Sequence, residues 1–106
     1  MSGALAELTK ATFDDAVKAG VTLVDFWAPW CPPCRAQTPI LEAVAPKLAG
    51  RAAVAKVNVD EQGDLAARFS VASIPTLVLF KDGKEARRLT GLQQADELVT
   101  AVEALL

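Results

Sequence analysis

Residues 21–34, VTLVDFWAPWCPPC, decide the fold of this chain. The first half of the stretch, from Val21 to Trp27, is apolar on both faces apart from Asp25, which is typical of a central strand in a parallel sheet. Two cysteines follow, Cys31 and Cys34, at the point where helical spacing begins. Because open α/β sheets place their functional sites at the carboxyl ends of such strands, the cysteine pair is predicted to lie at a functional site.

The rest of the chain alternates between strand and helix patterns. Strands are predicted at residues 5–8, 52–59, 76–80 and 85–90, and the last two form a hairpin through the turn KDGK at residues 81–84. Helices are predicted at residues 12–20, with Thr12 as the N-cap, and at residues 33–48, 63–69 and 94–105. Pro46 is expected to kink or end the second helix near Ala45. This order predicts a mixed α/β sheet, parallel in its first half, with helices on both faces.

The composition indicates one domain without a strongly charged binding face. The chain has 106 residues, of which 52% are hydrophobic, and a net charge of −2. Its interspersed charges argue against nucleic acid or an anionic membrane as a partner. The apolar runs fall short of the ~20 residues that span a bilayer, and the first residues lack the basic and apolar regions of a signal peptide. We therefore expect a cytoplasmic monomer.

The two cysteines form a CxxC motif, and the chain contains no histidine. A zinc site needs four ligands, so this ligand set disfavours a metal. A disulfide across so short a loop removes little entropy from the unfolded chain, which disfavours a purely structural bridge. At the N-terminus of a helix, the thiolate of Cys31 would be stabilised by backbone N–H groups and by the helix dipole. The motif therefore favours reversible dithiol–disulfide exchange.

Asp25 is an isolated carboxyl group in an otherwise apolar strand. Burial there should raise its pKa by desolvation, which makes Asp25 the best general acid–base candidate in a chain without histidine. Lys56 interrupts the neighbouring strand in the same way. Two interpretations of Lys56 stay open: it faces Asp25 and offsets part of the desolvation, or it is a surface lysine with its ammonium group in water.

A set of motifs distributed along the chain resembles the thioredoxin family. The set comprises residues 25–34 (DFWAPWCPPC), Pro39, Asp60, Ile74-Pro75-Thr76 and Gly83. The resemblance extends from Leu8 to the last helix, and its motifs are highly specific in combination. It implies an α/β thioredoxin fold, with a central mixed five-stranded sheet flanked by four helices, in a single domain of residues 1–106.

The resemblance also implies a role for each of four catalytic residues. Cys31 would be the attacking thiolate and Cys34 the resolving thiol. Asp25 would be the buried proton acceptor for Cys34, with Lys56 as its partner. No cofactor would be needed beyond the redox-active Cys31–Cys34 disulfide, and no metal.

The resemblance further implies a substrate-binding surface beside the cysteines. The peptide bond before Pro75 would be cis, which would leave the Ile74 backbone free to pair with an extended segment of the substrate. The flat apolar surface around it would comprise Trp30, Pro33, Ile74, Pro75, Gly91 and Leu92. For Gly91, the alternative of an ordinary turn glycine stays open.

Pro32 departs from the family pattern, because thioredoxins usually carry glycine at this position. Prolines at the first helical positions suit the helix but supply no N–H group to the Cys31 sulfur. The loss of donors would favour the disulfide and make a stronger reductant, whereas rigidity of the loop would oppose this. We expect Pro32 to tune the reduction potential, in a direction that these two effects leave open.

These expectations combine into one leading functional hypothesis. The chain is predicted to be a protein disulfide reductase, an enzyme that acts on disulfide-containing client proteins and is itself reduced by an NADPH-dependent thioredoxin reductase. Two alternatives stay open: a disulfide oxidase or isomerase of an oxidising compartment, and a non-catalytic binding module with a thioredoxin fold. The absence of a leader sequence and the presence of Asp25 disfavour the first alternative.

Overall fold

The structure is a computed structural model that describes residues 5–106, and within this range the chain forms five strands and four helices. In chain order the elements are β1 (Ala6–Glu7), α1 (Phe13–Val17), β2 (Val21–Trp27), α2 (Pro32–Leu48), β3 (Ala52–Asn58), α3 (Gly63–Arg68), β4 (Thr76–Lys81), β5 (Lys84–Thr90) and α4 (Ala95–Glu103). The strands form one sheet in the order β1-β3-β2-β4-β5. β1, β3 and β2 are parallel, while β4 and β5 are antiparallel to their neighbours. The predicted mixed α/β sheet is confirmed.

Alternating side chains of the central strand build a separate core on each face of the sheet. Val21 and Leu23 of β2 pack in one core with the apolar faces of α2 and α4. Val24 and Phe26 point the other way and pack with α1 and α3. The period of two along a strand therefore assigns every β2 side chain to one helical layer or the other. Asp25 falls on the face that carries Val21 and Leu23, which is the face covered by α2 and α4.

Helix α2 continues past both of its prolines, Pro39 and Pro46, and ends at Leu48. The helix thus ends at Leu48, as in the predicted range 33–48, and of the two effects expected of Pro46 the ending of the helix near Ala45 is wrong. Both prolines are exposed, so their rings point away from the sheet. Leu48 is fully buried in the core between α2, α4 and the sheet, and burial of such a side chain stabilises by about 1.5–3 kcal/mol. This packing offsets the hydrogen bond that a proline removes from the last turn.

Two turns meet at the end of the sheet that lies opposite the cysteines. The predicted β4–β5 hairpin turns at Asp82 (φ 51°) and Gly83 (φ 86°), and positive φ at both positions is characteristic of the turns that fit the twist of a hairpin. Asp82 N–H donates to Gly20 O at 2.9 Å, and Gly20 N–H donates to Asp82 Oδ1 at 2.9 Å. These two bonds join the hairpin turn to the turn that precedes β2.

The start of α1 differs in one detail from the prediction. Thr12 is the N-cap residue, but its side chain makes no capping hydrogen bond. Its Oγ1 accepts instead from the N–H of Thr9 at 2.9 Å. The hydroxyl group of Thr12, which the capping pattern predicts to bond to the start of the helix, bonds instead to the preceding loop.

Phe80 tests the core between the sheet and the helices α1 and α3. Its ring is fully buried and lies edge-on to those of Phe13 and Phe69, with centroids 5.3 and 5.1 Å away. We expect Phe80→Ala to lower the free energy of unfolding by about 3–5 kcal/mol, since the cavity cannot be refilled by the rigid sheet. Urea unfolding of the oxidised protein measures this loss. The control Leu106→Ala, at a half-exposed position, should change it by less than about 0.5 kcal/mol; similar losses in both variants would contradict the assignment.

Candidate active site

The cysteine pair lies at the N-terminus of α2 and forms a disulfide, with 5.2 Å between the two Cα atoms. Cys31 is the N-cap residue, and its sulfur accepts a hydrogen bond from the N–H of Cys34 at 3.3 Å. Pro32 and Pro33 occupy the first two helical positions and have no N–H to donate. Cys34 is fully buried, whereas 4% of the Cys31 surface is exposed. Cys31 is therefore the more accessible residue of the pair, and its sulfur is the one that receives the helix N–H.

Asp25 lies in the middle of the sheet, level with Lys56 in β3 and with Leu77 in β4. Its side chain is fully buried on the face covered by α2, and neither carboxyl oxygen has a hydrogen-bond partner among residues 5–106. Burial raises the pKa of Asp25 from 3.8 to about 7, although the nearby positive charge of Lys56 partly opposes the rise and the negative charge of Glu7 adds to it. The group can therefore take up or release a proton near neutral pH.

Lys56 is buried beside Asp25, with 7% of its surface exposed. Its Nζ donates to Thr38 Oγ1 at 3.1 Å and lies 3.7 Å from Glu7 Oε2. It also lies 3.7 Å from the centroid of the Trp27 ring. The interpretation of Lys56 as a surface lysine is thus wrong. Its ammonium group is held by groups from α2, β1 and β2, and its charge acts on Asp25 without a hydrogen bond between them.

Two of the groups that hold Lys56 were missed in the sequence. Glu7 lies in β1, directly opposite Lys56 of β3 in the parallel register. Thr38 lies in α2, and its hydroxyl also donates to the carbonyl of Cys34 at 3.4 Å. The sequence signals were weak: a glutamate in a strand of two residues, and a threonine one helical turn after a cysteine. Their importance comes from their distance to Lys56, which the sequence does not specify.

A loop containing a cis peptide bond lies against the disulfide. The Ile74–Pro75 bond is cis, as the family resemblance implies. The carbonyl oxygen of Ile74 lies 3.9 Å from the sulfur of Cys31. The carbonyl oxygen of Pro75 accepts from the N–H of Gly91 at 2.8 Å. The start of α2, the cis-proline loop and the segment at Gly91 are thereby brought together.

Exposed apolar side chains lie on the segments around the disulfide. Trp30 precedes Cys31 and is 63% exposed, and Leu92 follows Gly91 and is 41% exposed. Pro33 is exposed, and Ile74 is partly buried against the cysteines. Trp30 Nε1 donates to Asp60 Oδ2 at 2.7 Å, which fixes the orientation of the ring. The structure thus places the predicted surface residues on the segments around the disulfide, while Asp25 and Lys56 lie opposite each other in β2 and β3.

Two further properties bear on the chemistry of the site. Within residues 5–106, no group of three or more His, Cys, Asp or Glu side chains is arranged to hold a metal ion. None of the helices in this range is both long and apolar enough to cross a membrane.

Comparisons with known proteins identify relatives that share nearly the whole chain. The family model described as Thioredoxin matches residues 4–104. A thioredoxin of Staphylococcus saprophyticus is 44% identical over 100 residues, which cover 94% of this chain and 96% of the relative. A thioredoxin of Staphylococcus aureus is 43% identical with the same coverage. Among solved structures, a mutant thioredoxin from Halobacterium salinarum matches with a TM-score of 0.87 at 39% identity, covering 95% of this chain and 88% of that one.

The pKa of Asp25 predicts how stability depends on pH. The folded state binds this proton more tightly than the unfolded state, so the free energy of unfolding falls as the pH rises from 3.8 to about 7. Between pH 4 and pH 8 the free energy of unfolding of the oxidised protein should fall by about 4 kcal/mol more than that of an Asp25→Ala variant. Urea unfolding of both proteins across this range measures the difference. Parallel stability curves would show that Asp25 has the same pKa in the folded and unfolded states, which would contradict the raised pKa.

Proposed function

Because this chain belongs to the thioredoxin family, we propose that it is a protein disulfide reductase. Like its relatives it is a thiol–disulfide oxidoreductase, and its cysteine pair is Cys31 and Cys34. Its substrates are disulfide bonds of client proteins, and an NADPH-dependent thioredoxin reductase returns its disulfide to the dithiol form. It works as a cytoplasmic monomer of one domain, without metal or nucleic acid. The observation that carries the proposal is the buried carboxyl group of Asp25 on the sheet face covered by α2, which has no hydrogen-bond partner among residues 5–106.

The first step is attack by the Cys31 thiolate on a client disulfide. A bond forms between the Cys31 sulfur and one client sulfur, and the other client sulfur leaves as a thiolate. The position of Cys31 supports this role, because its sulfur caps α2 and Cys31 is the more exposed residue of the pair. A helix N-terminus favours the negative charge of a thiolate there.

The second step is release of the client by Cys34. Cys34 gives its proton to Asp25, its thiolate attacks the Cys31 sulfur, and the second client sulfur leaves as a thiolate. The Cys31–Cys34 disulfide forms, so that two electrons have passed to the client. A pKa of about 7 allows Asp25 to accept this proton and later return it near neutral pH. Lys56 assists by keeping that pKa from rising further.

The client binds at a docking surface that we define as Trp30, Pro33, Ile74, Pro75, Gly91 and Leu92. The Ile74 carbonyl oxygen lies 3.9 Å from the Cys31 sulfur, and an extended client segment would pair with the backbone at this place. Trp30 and Leu92 supply exposed apolar area on either side. Such a surface is suited to unfolded or extended protein segments rather than to a small molecule enclosed in a cavity.

A Cys34→Ser variant tests the order of the two thiols. Without the resolving thiol, reduced protein exposed to client disulfides should accumulate stable mixed disulfides through Cys31. Non-reducing gels followed by mass spectrometry would detect them, with Cys31→Ser as the control that traps none. Trapping through Cys34 in the control would reverse the assigned roles. Client binding that survives unchanged in a double variant with both Cys31→Ser and Cys34→Ser, together with the absence of disulfide reduction in the wild type, would favour a binding module.

A Pro32→Gly variant tests the role of the residue between the cysteines. Glycine restores an N–H group near the Cys31 sulfur and loosens the loop, so the equilibrium constant against glutathione should change by about threefold or more. The direction of the change shows which of the two effects dominates. Pro46→Ala, an exposed proline in the last turn of the same helix, is the matched control and should leave the constant unaltered. An unchanged constant in Pro32→Gly would contradict a tuning role.

A further inference from the structure

A buried glutamine ties the active-site helix to the segment that carries Leu92. Gln37 lies one turn after Cys34 in α2 and is fully buried. Its Nε2 donates to the carbonyl oxygen of Gln93 at 2.9 Å, and its Oε1 accepts from the N–H of Gln93 at 2.8 Å. One side chain thus satisfies both backbone groups of a residue 56 positions away, which fixes the helix and the loop relative to each other.

Gln37 bonds to a segment, residues 91–93, that contains two residues of the docking surface, Gly91 and Leu92. Residues 91–93 lead from β5 to α4, and Gly91 is anchored at one end by its N–H bond to Pro75 O at 2.8 Å. Gln93 is anchored at the other end by Gln37, while its own Nε2 donates to the carbonyl oxygens of Thr90 and Gly91, each at 3.2 Å. Leu92 lies between the two anchors with its side chain 41% exposed. The cis-proline loop and α2 together determine where Leu92 points.

We propose that Gln37 is a positioning residue that pre-orders residues 91–93 for protein clients. The inference rests on the proposed function, since it assigns a cause to the geometry of the docking surface. A loop that is already ordered before binding loses less entropy when a client docks, which lowers the half-saturating concentration of client. The disulfide chemistry at Cys31 and Cys34 does not pass through Gln37, so its rate constants should be independent of this bridge.

The side-chain chemistry makes glutamine the suitable residue for this bridge. A backbone residue offers one donor and one acceptor, and a carboxamide is the complementary group because it carries one of each. An ionised glutamate could accept from the N–H of Gln93 but would face its carbonyl oxygen without a proton to donate. Leucine has neither group and would leave both backbone atoms of Gln93 without the partner they have in this structure.

The experiment compares two substrates in the wild type and in Gln37→Leu. Insulin, with dithiothreitol as the reductant, measures KM and kcat for a protein disulfide; 5,5′-dithiobis(2-nitrobenzoate) measures the rate with a small disulfide that needs no docking surface. We expect the KM for insulin to rise about three- to tenfold with kcat nearly unchanged. The rate with the small disulfide and the equilibrium constant against glutathione should stay within about twofold.

Two further variants serve as controls. Gln62 also bonds to a loop backbone, but outside the docking surface: its Oε1 accepts from the N–H of Lys10 at 2.9 Å. Gln62→Leu removes this hydrogen bond. It should leave both substrates unaffected. Gln37→Asn keeps the carboxamide but shortens it by one methylene, which weakens both hydrogen bonds without burying a charge, so its KM for insulin should lie between those of the wild type and Gln37→Leu. It preserves the test if the leucine variant does not fold.

The outcomes separate this inference from the proposed function. If the wild type reduces insulin and Gln37→Leu has the same KM, the inference is overturned and the proposed function stands. If Gln37→Leu loses activity equally toward insulin and the small disulfide, Gln37 supports the fold as a whole, which also overturns the inference. If the wild type reduces the small disulfide but not insulin, the proposed function fails and the inference fails with it.

Discussion

Strand β2 pairs along its length with β3 on one side and with β4 on the other, and helices cover both of its faces. The side chains from Val21 to Phe26 are all buried, so a shift of register by one residue would move each of them into the opposite core. The same constraint fixes where β2 ends, and hence where the chain turns into α2 with Cys31 at its N-cap. The location of the disulfide is a consequence of how the central strand is buried.

Within that buried strand, Asp25 is a polar group retained at the expense of stability. A leucine at this position would extend the core, whereas the carboxyl group finds no hydrogen-bond partner in the described part of the chain. Lys56 could neutralise it but is instead held by Thr38, Glu7 and the Trp27 ring. Because Lys56 bonds to these groups and not to Asp25, the pKa of Asp25 stays at about 7, where the carboxyl group can gain or lose a proton. An Asp25–Lys56 hydrogen bond would favour a permanently ionised carboxylate.

The sequence predicts the elements of this fold well, because their signals are local. The hydrophobic period of β2, the helical spacing after Cys34 and the Asp82-Gly83 turn each depend on a few adjacent residues. The end of α2 is harder to predict from the sequence, because the packing of Leu48 outweighs the local effect of Pro46 on the helix. The Gln37–Gln93 bridge and the contacts of Lys56 could not be found this way. They depend on which polar atoms meet across the folded chain, and a glutamine or threonine in a helix carries no mark of its distant partner.

The hydrogen bonds between Asp82 and Gly20 lie at one end of the sheet, and the disulfide lies at the other. The hairpin turn lies at the far end of β2 from Cys31, and the adjacent Lys81 Nζ donates to the carbonyl oxygen of Leu105 at 2.6 Å. The last residues of the chain are therefore tied to the end of the sheet that carries no part of the docking surface. A fluorophore, an affinity tag or a fused domain attached after Leu106 would emerge there. Such an attachment would lie away from the proposed docking surface, which suits this chain to immobilisation on a solid support.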